Sequence, residues 1–271
     1  MPAGKLGKLA PHPEDTHPRV KLSDHLDLAK LPATPAVVDY ASKVRAWPMY
    51  LNDTLGDCTC AGVGHSVQAW TAYAKGLVTL PDSAILKLYE AMGYRPGDPS
   101  TDQGAVEQDV LEYVHKTGVG GHKILAYAQV NHTDPYVMKA ALNMFGSLYL
   151  GGQIPQSAMD QTNAGLPWSP VPGSPIEGGH AFVAQRWDTS TAPMTVITWG
   201  QEQKVELDWW MANGDEAWVI ITQDWFLANG HSVSGLDLES LGADFSTITG
   251  YNNPFVASTK TSCFKKWFGW L

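Results

Sequence analysis

The sequence is poor in cysteine and in basic side chains, and it lacks long apolar runs. Three cysteines among 271 residues, two of them separated by one residue, cannot form a disulfide framework and are expected as thiols in a reducing compartment. Lysine and arginine number 18 against 27 aspartate and glutamate, so no basic stripe is expected to bind nucleic acid. No window approaches the roughly 18 apolar residues of a membrane span, and the N-terminus lacks the apolar core of a Sec signal. We therefore expect no nucleic-acid partner and no membrane span.

A metal site is also weakly supported. Cys58 and Cys60 form one Cys-x-Cys pair, and no second paired motif supplies the four well-spaced ligands that zinc prefers. We expect no metal and no cofactor.

Hydrophobic side chains make up 44% of the chain, and 11 tryptophans can fill a sizeable core, which favours one domain with extensions. Residues 1–37 are proline-rich and show no sustained helical or strand period, so they predict an extended strap. This strap has two interpretations: an inhibitory propeptide or partner-gripping arm, or a strand-like segment lying on its own domain. We place the main domain at residues 38–227 and a C-terminal arm at residues 228–271.

Helical patterns come first along the chain, and short β-like runs follow from Ser147. The helices are expected at 58–75, 82–92, 103–115 and 135–146, and the strands at 148–150, 180–184, 195–199 and 216–221. This order predicts an α+β fold with a helical lobe followed by an antiparallel half-barrel, and with a cleft between them. Residues 153–179, which include Trp168, are expected to be a long loop, either a lid or binding loop or a surface insertion.

The strongest chemical signal is a cysteine at the start of a buried helix. Cys58 follows Asp57, a candidate N-cap, and Asn52 stands six residues before it. A helix start favours a thiolate, and an upstream amide can donate to an oxyanion together with the backbone N–H of Cys58. Gly179 and His180 lie far downstream on a predicted strand, where an imidazole can act as general base and acid. The helix dipole and an imidazolium both stabilise a thiolate, so an ion pair between Cys58 and His180 can exist at neutral pH.

These motifs, taken in order, resemble the papain-like cysteine peptidase superfamily over roughly residues 38–227. The similar segments are Val38-Asp39-Tyr40, Trp47 to Asn52, the Cys58 helix, Thr101-Asp102-Gln103-Gly104, Asp134-Pro135, the His180 strand and Ile197-Thr198-Trp199-Gly200. The resemblance implies a two-lobe papain-like fold of a divergent bacterial or bacteriophage branch. It also implies that Trp199 shields the imidazole. We expect Trp199, Trp168 and Gly179 to contact the substrate.

Two positions depart from this pattern. Ile197 stands where the family carries the asparagine that orients the imidazole, so Thr198, or Gln201 after a register change, is the candidate orienter. Asp57 places an anion beside the thiol and opposes the helix dipole. The rival nucleophile Cys60 projects about 200° around the helix from Cys58 and lacks an upstream amide. It is expected to be a buried hydrophobe, and His65 is expected to be a core or cleft-edge residue.

We therefore predict a cysteine peptidase or amide hydrolase that forms an acyl-enzyme on Cys58 and acts on a peptide or peptidoglycan-like amide. The alternative is a non-catalytic papain-fold component of a larger assembly, such as a phage particle, in which terminal arms mediate partner binding or self-assembly. The aromatic residues at 261–271 favour such docking, or self-packing. The expected location is the cytoplasm or a virus particle.

Overall fold

The computed structural model describes residues 3–27, 33–74, 76–222, 225 and 238–255. Within this part of the chain, the helices are α1 (Cys58–Ala74), α2 (Asp82–Ala91), α3 (Glu107–Lys116), α4 (Pro135–Phe145), α5 (Gln156–Asn163), α6 (Leu207–Asn213) and α7 (Leu238–Thr249). The strands are β1 (Val38–Asp39), β2 (Ala126–Gln129), β3 (Leu148–Pro155), β4 (Ile176–Trp187), β5 (Met194–Thr198), β6 (Gln201–Val205) and β7 (Gly214–Ile221). None of the helices in these ranges is long and apolar enough to cross a bilayer.

Local signals set the ends of α4. The Asp134 carboxylate accepts hydrogen bonds from the backbone N–H groups of Tyr136 and Val137, and Pro135 occupies the first turn. Gly146 ends the helix in the left-handed conformation, with φ of 72°. The predicted helix after Asp134 is therefore confirmed at both ends.

Helix α1 forms the centre of the molecule. Its glycines allow close packing, because a Cβ at Gly62 would lie 2.8 Å from the Tyr149 ring of β3. A Cβ at Gly64 would lie 2.7 Å from the Tyr50 ring on the opposite side. The helix is thus wedged between the sheet and the helical lobe, which fixes the position of its first residue, Cys58.

The sheet is antiparallel, with strand order β2-β7-β3-β4-β5-β6, and β1 pairs with β4. The predicted α+β fold, with helices first and an antiparallel sheet after them, is confirmed. In the central strands, Gly151 of β3 stands between Ala181 of β4 and Glu216 of β7. This row of residues lies beside the N-terminus of α1, because Ala181 is hydrogen-bonded to Cys58.

Several elements were not predicted from the sequence. They are the strands β1, β2 and β6 and the helices α5, α6 and α7; α5 lies inside residues 153–179, which the sequence predicts to be a loop. Helix α3 begins at Glu107, later than expected, because Gly104 has φ of 80° and Ala105 pairs with the N-terminal strap. Such a positive φ is incompatible with a helix.

The N-terminal strap lies in the cleft between the lobes. The backbone N–H groups of Gly7 and Lys8 donate to the carbonyl oxygen of Gly179 at 3.1 and 3.0 Å. On the other side, Leu9 N–H donates to the Ala105 carbonyl at 3.0 Å, and Ala105 N–H donates to the Gly7 carbonyl at 2.9 Å. The strap therefore bridges the helical lobe and the sheet with main-chain hydrogen bonds.

At the other end of the chain, α7 packs on the same domain through Phe245, which is fully buried and contacts Tyr127 of β2 and His115 of α3. The predicted aromatic docking segment, residues 261–271, lies outside the described residues.

Candidate active site

Cys58 is placed at the N-terminus of α1 and faces β4. Its Sγ accepts a hydrogen bond from the backbone N–H of Ala181 at 3.4 Å, and the residue is 1% exposed. Ala181 directly follows His180, so the fold brings the two predicted catalytic residues to neighbouring positions across the cleft. Cys60 is also a buried free thiol.

His180 is held by the hairpin that follows it in the sheet. Its Nε2 is hydrogen-bonded to Thr198 Oγ1 at 2.6 Å, and the Trp199 ring stacks on the imidazole with centroids 4.4 Å apart. Trp199 and Gly200 form the tight turn between β5 and β6, with φ of 45° and 68°. Both values are positive, as the two central residues of a type I′ hairpin turn require.

Thr198 therefore occupies the position of an orienting group. Ile197, where the family pattern carries asparagine, is fully buried and pairs with Val183 of β4. Nδ1 of His180 is buried and makes no hydrogen bond, so the imidazole is not bonded to the Cys58 thiol in this conformation.

Burial sets the protonation states of the pair. It raises the pKa of Cys58 to about 12, although the N–H groups of Ala181 and Gly7 favour the thiolate. It lowers the pKa of His180 to about 3. At neutral pH the pair is a thiol and a neutral imidazole. The predicted ion pair is thus wrong for this conformation, because exclusion of water outweighs the helix dipole.

Asp57 precedes the helix as expected, but its side chain does not act as a cap. Both carboxylate oxygens are buried and make no hydrogen bond of standard geometry. Burial raises the pKa of Asp57 to about 8, so the group is mostly neutral at pH 7. The helix begins through the backbone instead, since the Asp57 carbonyl accepts from Cys60 and Ala61 N–H.

Asn52 directs its amide at the strap. Its Nδ2 donates to the carbonyl oxygens of Lys5 at 3.2 Å and Leu55 at 3.0 Å, and Trp199 Nε1 also donates to Lys5 at 3.2 Å. The amide group that the sequence predicted to donate to the oxyanion is therefore hydrogen-bonded to a carbonyl oxygen of the strap.

Close contact with the strap requires glycine on both surfaces. A Cβ at Gly7 would overlap the Gly56 carbonyl oxygen, and one at Gly104 would overlap the Gly7 carbonyl oxygen. A Cβ at Gly179 would overlap the Lys8 carbonyl oxygen. The strap backbone thus lies directly on the walls of the cleft, beside Cys58.

No protein-family model and no curated protein sequence matches the chain. Solved structures do match. Xylellain, a cysteine protease from Xylella fastidiosa, has a TM-score of 0.65 and 18% identity over 82% of this chain and 97% of that chain. ProCathepsin B from Trypanosoma congolense has a TM-score of 0.57 and 10% identity over 80% of this chain and 86% of that chain. A ragweed pollen cysteine protease in its proform has a TM-score of 0.55 and 14% identity over 72% and 69%.

This chain has the papain-like fold. The identities are low enough that the comparisons establish the architecture and not the activity. Within this papain-like fold, Trp168 is fully buried against Phe182, Trp199 and Trp209, and its Nε1 donates to Thr162 Oγ1 at 2.8 Å. It lies behind Trp199 and supports that ring, and it does not face the cleft in this conformation.

His65 is a core residue. Its Nε2 is hydrogen-bonded to the Pro48 carbonyl at 2.9 Å, and burial lowers its pKa to about 4. No group of three His, Cys, Asp or Glu side chains within the described residues is arranged to hold a metal ion.

A buried lysine that lies beside Cys58 and the cleft was not identified from the sequence. Lys8 Nζ lies 2.9 Å from Asp215 Oδ1 and 2.9 Å from Glu216 Oε1, and its side chain is 0% exposed. Glu107, at the start of α3, is fully buried in the same region. The only local signal for this cluster was Glu216, a charged residue near the start of an apolar strand. Nothing in the sequence indicated that it pairs with Lys8, near the other end of the chain.

Proposed function

We propose that the chain is a cysteine peptidase or related amide hydrolase, and that the described conformation is its latent form. The observation that supports this proposal is the hydrogen bond from the N–H of Ala181, the residue after His180, to Cys58 Sγ, together with the bond between His180 Nε2 and Thr198. The expected substrate is a peptide or a peptidoglycan-like amide.

The chemistry follows from the orientation of His180. In the proposed tautomer Nε2–H donates its hydrogen bond to Thr198 Oγ1, which leaves the lone pair on Nδ1 free to take the proton of Cys58. The thiolate then attacks the carbonyl carbon, and the negative oxygen is stabilised by Asn52 Nδ2 and the Cys58 N–H. His180 returns the proton to the leaving amine, and water hydrolyses the thioester with His180 as base.

The strap must leave before this reaction can begin. In the described conformation it covers the thiol, occupies the Asn52 amide and excludes water, so both reactive groups are neutral. By their titles, two of the solved structures reported above are a pro-enzyme and a proform. We propose that the strap, residues 1–37, is the segment that blocks the site in this chain.

The test uses the full-length chain with Gly7→Ala, which displaces the strap because a Cβ there cannot fit. We expect this variant to hydrolyse a fluorogenic peptide and to react rapidly with iodoacetamide at Cys58. Cys58→Ala and His180→Ala, each combined with Gly7→Ala, should abolish hydrolysis, whereas Cys60→Ala should not. A displaced strap combined with Cys58 alkylation no faster than that of a free thiol would refute the proposal.

The second candidate is a non-catalytic papain-fold component of a larger assembly, such as a virus particle. The observation that favours it is the complete burial of the reactive pair beneath the protein's own chain. It predicts that deletion of residues 261–271 changes the size of the assembly in solution, and that Gly7→Ala gains no hydrolytic activity. Light scattering of the truncated chain, together with the fluorogenic peptide assay of Gly7→Ala, distinguishes the two candidates.

A further inference from the structure

A pocket of three carboxylates opens on the cleft beside Cys58, and the strap fills it with a lysine. We infer that this pocket, formed by Glu107, Asp215 and Glu216, selects substrates with a basic side chain next to the bond that is cleaved. The inference rests on the proposed function, since it assigns a substrate class to that same site.

The contacts of Lys8 show which chemistry the pocket accepts. Its Nζ lies 2.9 Å from one oxygen each of Asp215 and Glu216, and it donates to the Leu9 carbonyl at 3.3 Å. Trp218 Nε1 donates to the other oxygen of Glu216 at 2.9 Å, which fixes that carboxylate in the pocket. The walls therefore provide two charged acceptors that are oriented before any ligand arrives.

Glu107 adds a third carboxyl group to the pocket. Its two oxygens are completely buried and make no hydrogen bond of standard geometry, and Lys8 lies close enough to interact with it electrostatically. Burial raises the pKa of Glu107 well above its ordinary value, so a well-placed cation is needed to hold this group in its charged form. A larger or more strongly donating cation than the strap lysine, such as a guanidinium with five N–H donors, can satisfy it as well.

Gly151 gives the pocket its depth. A Cβ at this position would overlap Cε of Lys8 and would lie 2.9 Å from Glu107 Oε1. The missing side chain leaves a channel for a long unbranched stem, as lysine and arginine have. Because Gly151 pairs with Ala181 on one side and Glu216 on the other, the channel lies one strand from the residue that contacts Cys58.

The strap sequence also links the pocket to the reacting sulfur. Gly7, whose N–H favours the Cys58 thiolate, immediately precedes Lys8. A substrate backbone that replaces the strap between Gly179 and Ala105 is therefore expected to place one side chain over the channel. An apolar or acidic side chain there would leave buried carboxylates unpaired, and such a mismatch is discriminated against strongly.

The first arm of the test measures specificity in full-length Gly7→Ala. A positional peptide library is assayed for kcat/KM, with lysine, arginine, norleucine and glutamate compared at each position. At one position we expect lysine and arginine to exceed norleucine by about 100-fold or more. Adding Glu216→Gln should reduce that ratio at least about tenfold, whereas Glu177→Gln, an exposed carboxylate on β4, should leave it unchanged.

The second arm measures binding and does not depend on catalysis. A synthetic peptide of residues 3–12 is titrated into Gly7→Ala/Cys58→Ala, with Lys8 either present or replaced by norleucine. We expect the lysine peptide to bind at least about tenfold more tightly, and Glu216→Gln to remove most of that difference.

The outcomes separate the two claims. Hydrolysis without a basic preference overturns the inference and leaves the proposed function standing. If no peptide is hydrolysed, the proposed function fails, and the binding arm then decides the pocket. Equal binding of the two peptides overturns the inference, and tighter binding of the lysine peptide supports an amine-selective pocket.

Discussion

The two lysines of the strap allow a matched test of how the cleft is closed. Lys8 is completely buried against carboxylates, whereas Lys5 pairs with Asp102 at 2.7 Å but keeps 51% of its side chain exposed. Lys8→Met preserves the length of the stem and removes the charge. The same change at Lys5 serves as the control.

The expected magnitudes differ because the solvent environments differ. Removing one partner of a buried ion pair costs about 3–5 kcal/mol, and an exposed pair contributes about 0–1 kcal/mol. At about 1.4 kcal/mol per factor of ten, Lys8→Met should raise the open fraction about 100-fold or more. Lys5→Met should raise it by no more than about fivefold.

The assay is the rate of iodoacetamide alkylation of Cys58 at pH 7, mapped by mass spectrometry in the full-length chain. This rate reports the open fraction when opening and closing are fast compared with the reaction. Thermal unfolding of both variants checks that the domain remains folded.

Protonation of the pocket carboxyl groups limits the destabilisation that Lys8→Met causes at lower pH. Burial, and then the nearby Glu216, raise the pKa of Glu107 well above its ordinary value even with Lys8 in place, so the neutral carboxyl is favoured. The effect of Lys8→Met should therefore be smallest at low pH, where Glu107 is protonated, and should grow as the pH rises. Equal alkylation rates for Lys8→Met and Lys5→Met at pH 7 would refute the claim that the buried lysine holds the strap in place.

Three further predictions follow from the geometry. In the strap-displaced Gly7→Ala chain, Thr198→Val should lower kcat by at least about tenfold, because the imidazole loses the partner that fixes its tautomer. Thr195→Val, on the same strand with a hydroxyl that makes no hydrogen bond, should not, and equal kcat values would contradict this role. Gly151→Ala should expel the strap lysine and accelerate Cys58 alkylation, and an unchanged rate would show that the channel is not needed for closure. Finally, burial raises the pKa of Cys58 to about 12, so the closed form favours the thiol. The resulting stabilisation of the closed form is fully present below the ordinary thiol pKa and is lost as the pH rises towards 12. The pH profile of alkylation in Gly7→Ala should therefore lie at lower pH than in the parent chain, and coincident profiles would rule this out.

Elements with strong local signals could be predicted from the sequence. The cap and proline at Asp134-Pro135 and the glycine at Gly146 defined α4, because these residues act on the backbone within one turn. Strand β6 could not be predicted in this way, since its sequence is mostly polar. It is a strand because the turn at Trp199 and Gly200 pairs it with β5.

In the candidate site, too, some features could be predicted from local sequence and others could not. The spacing of Asn52 and Cys58 and the glycines before His180 were enough to name the reactive residues, but both Thr198 and Gln201 remained possible partners for the imidazole. The register of the β5–β6 hairpin decided for Thr198, because side-chain direction along a strand depends on pairing and not on residue type.

By itself the sequence determined the helices and strands that have strong local signals, the start of α1 at Cys58 and the chemical types present in the cleft. These properties depend on neighbours within a few residues. Only the tertiary structure decided that the strap fills the cleft, that Lys8 meets Glu216 from the opposite end of the chain, and that the thiol and imidazole are neutral. Electrostatic pairing and the loss of water depend on distances and burial in space, and these exist only once distant segments have packed together.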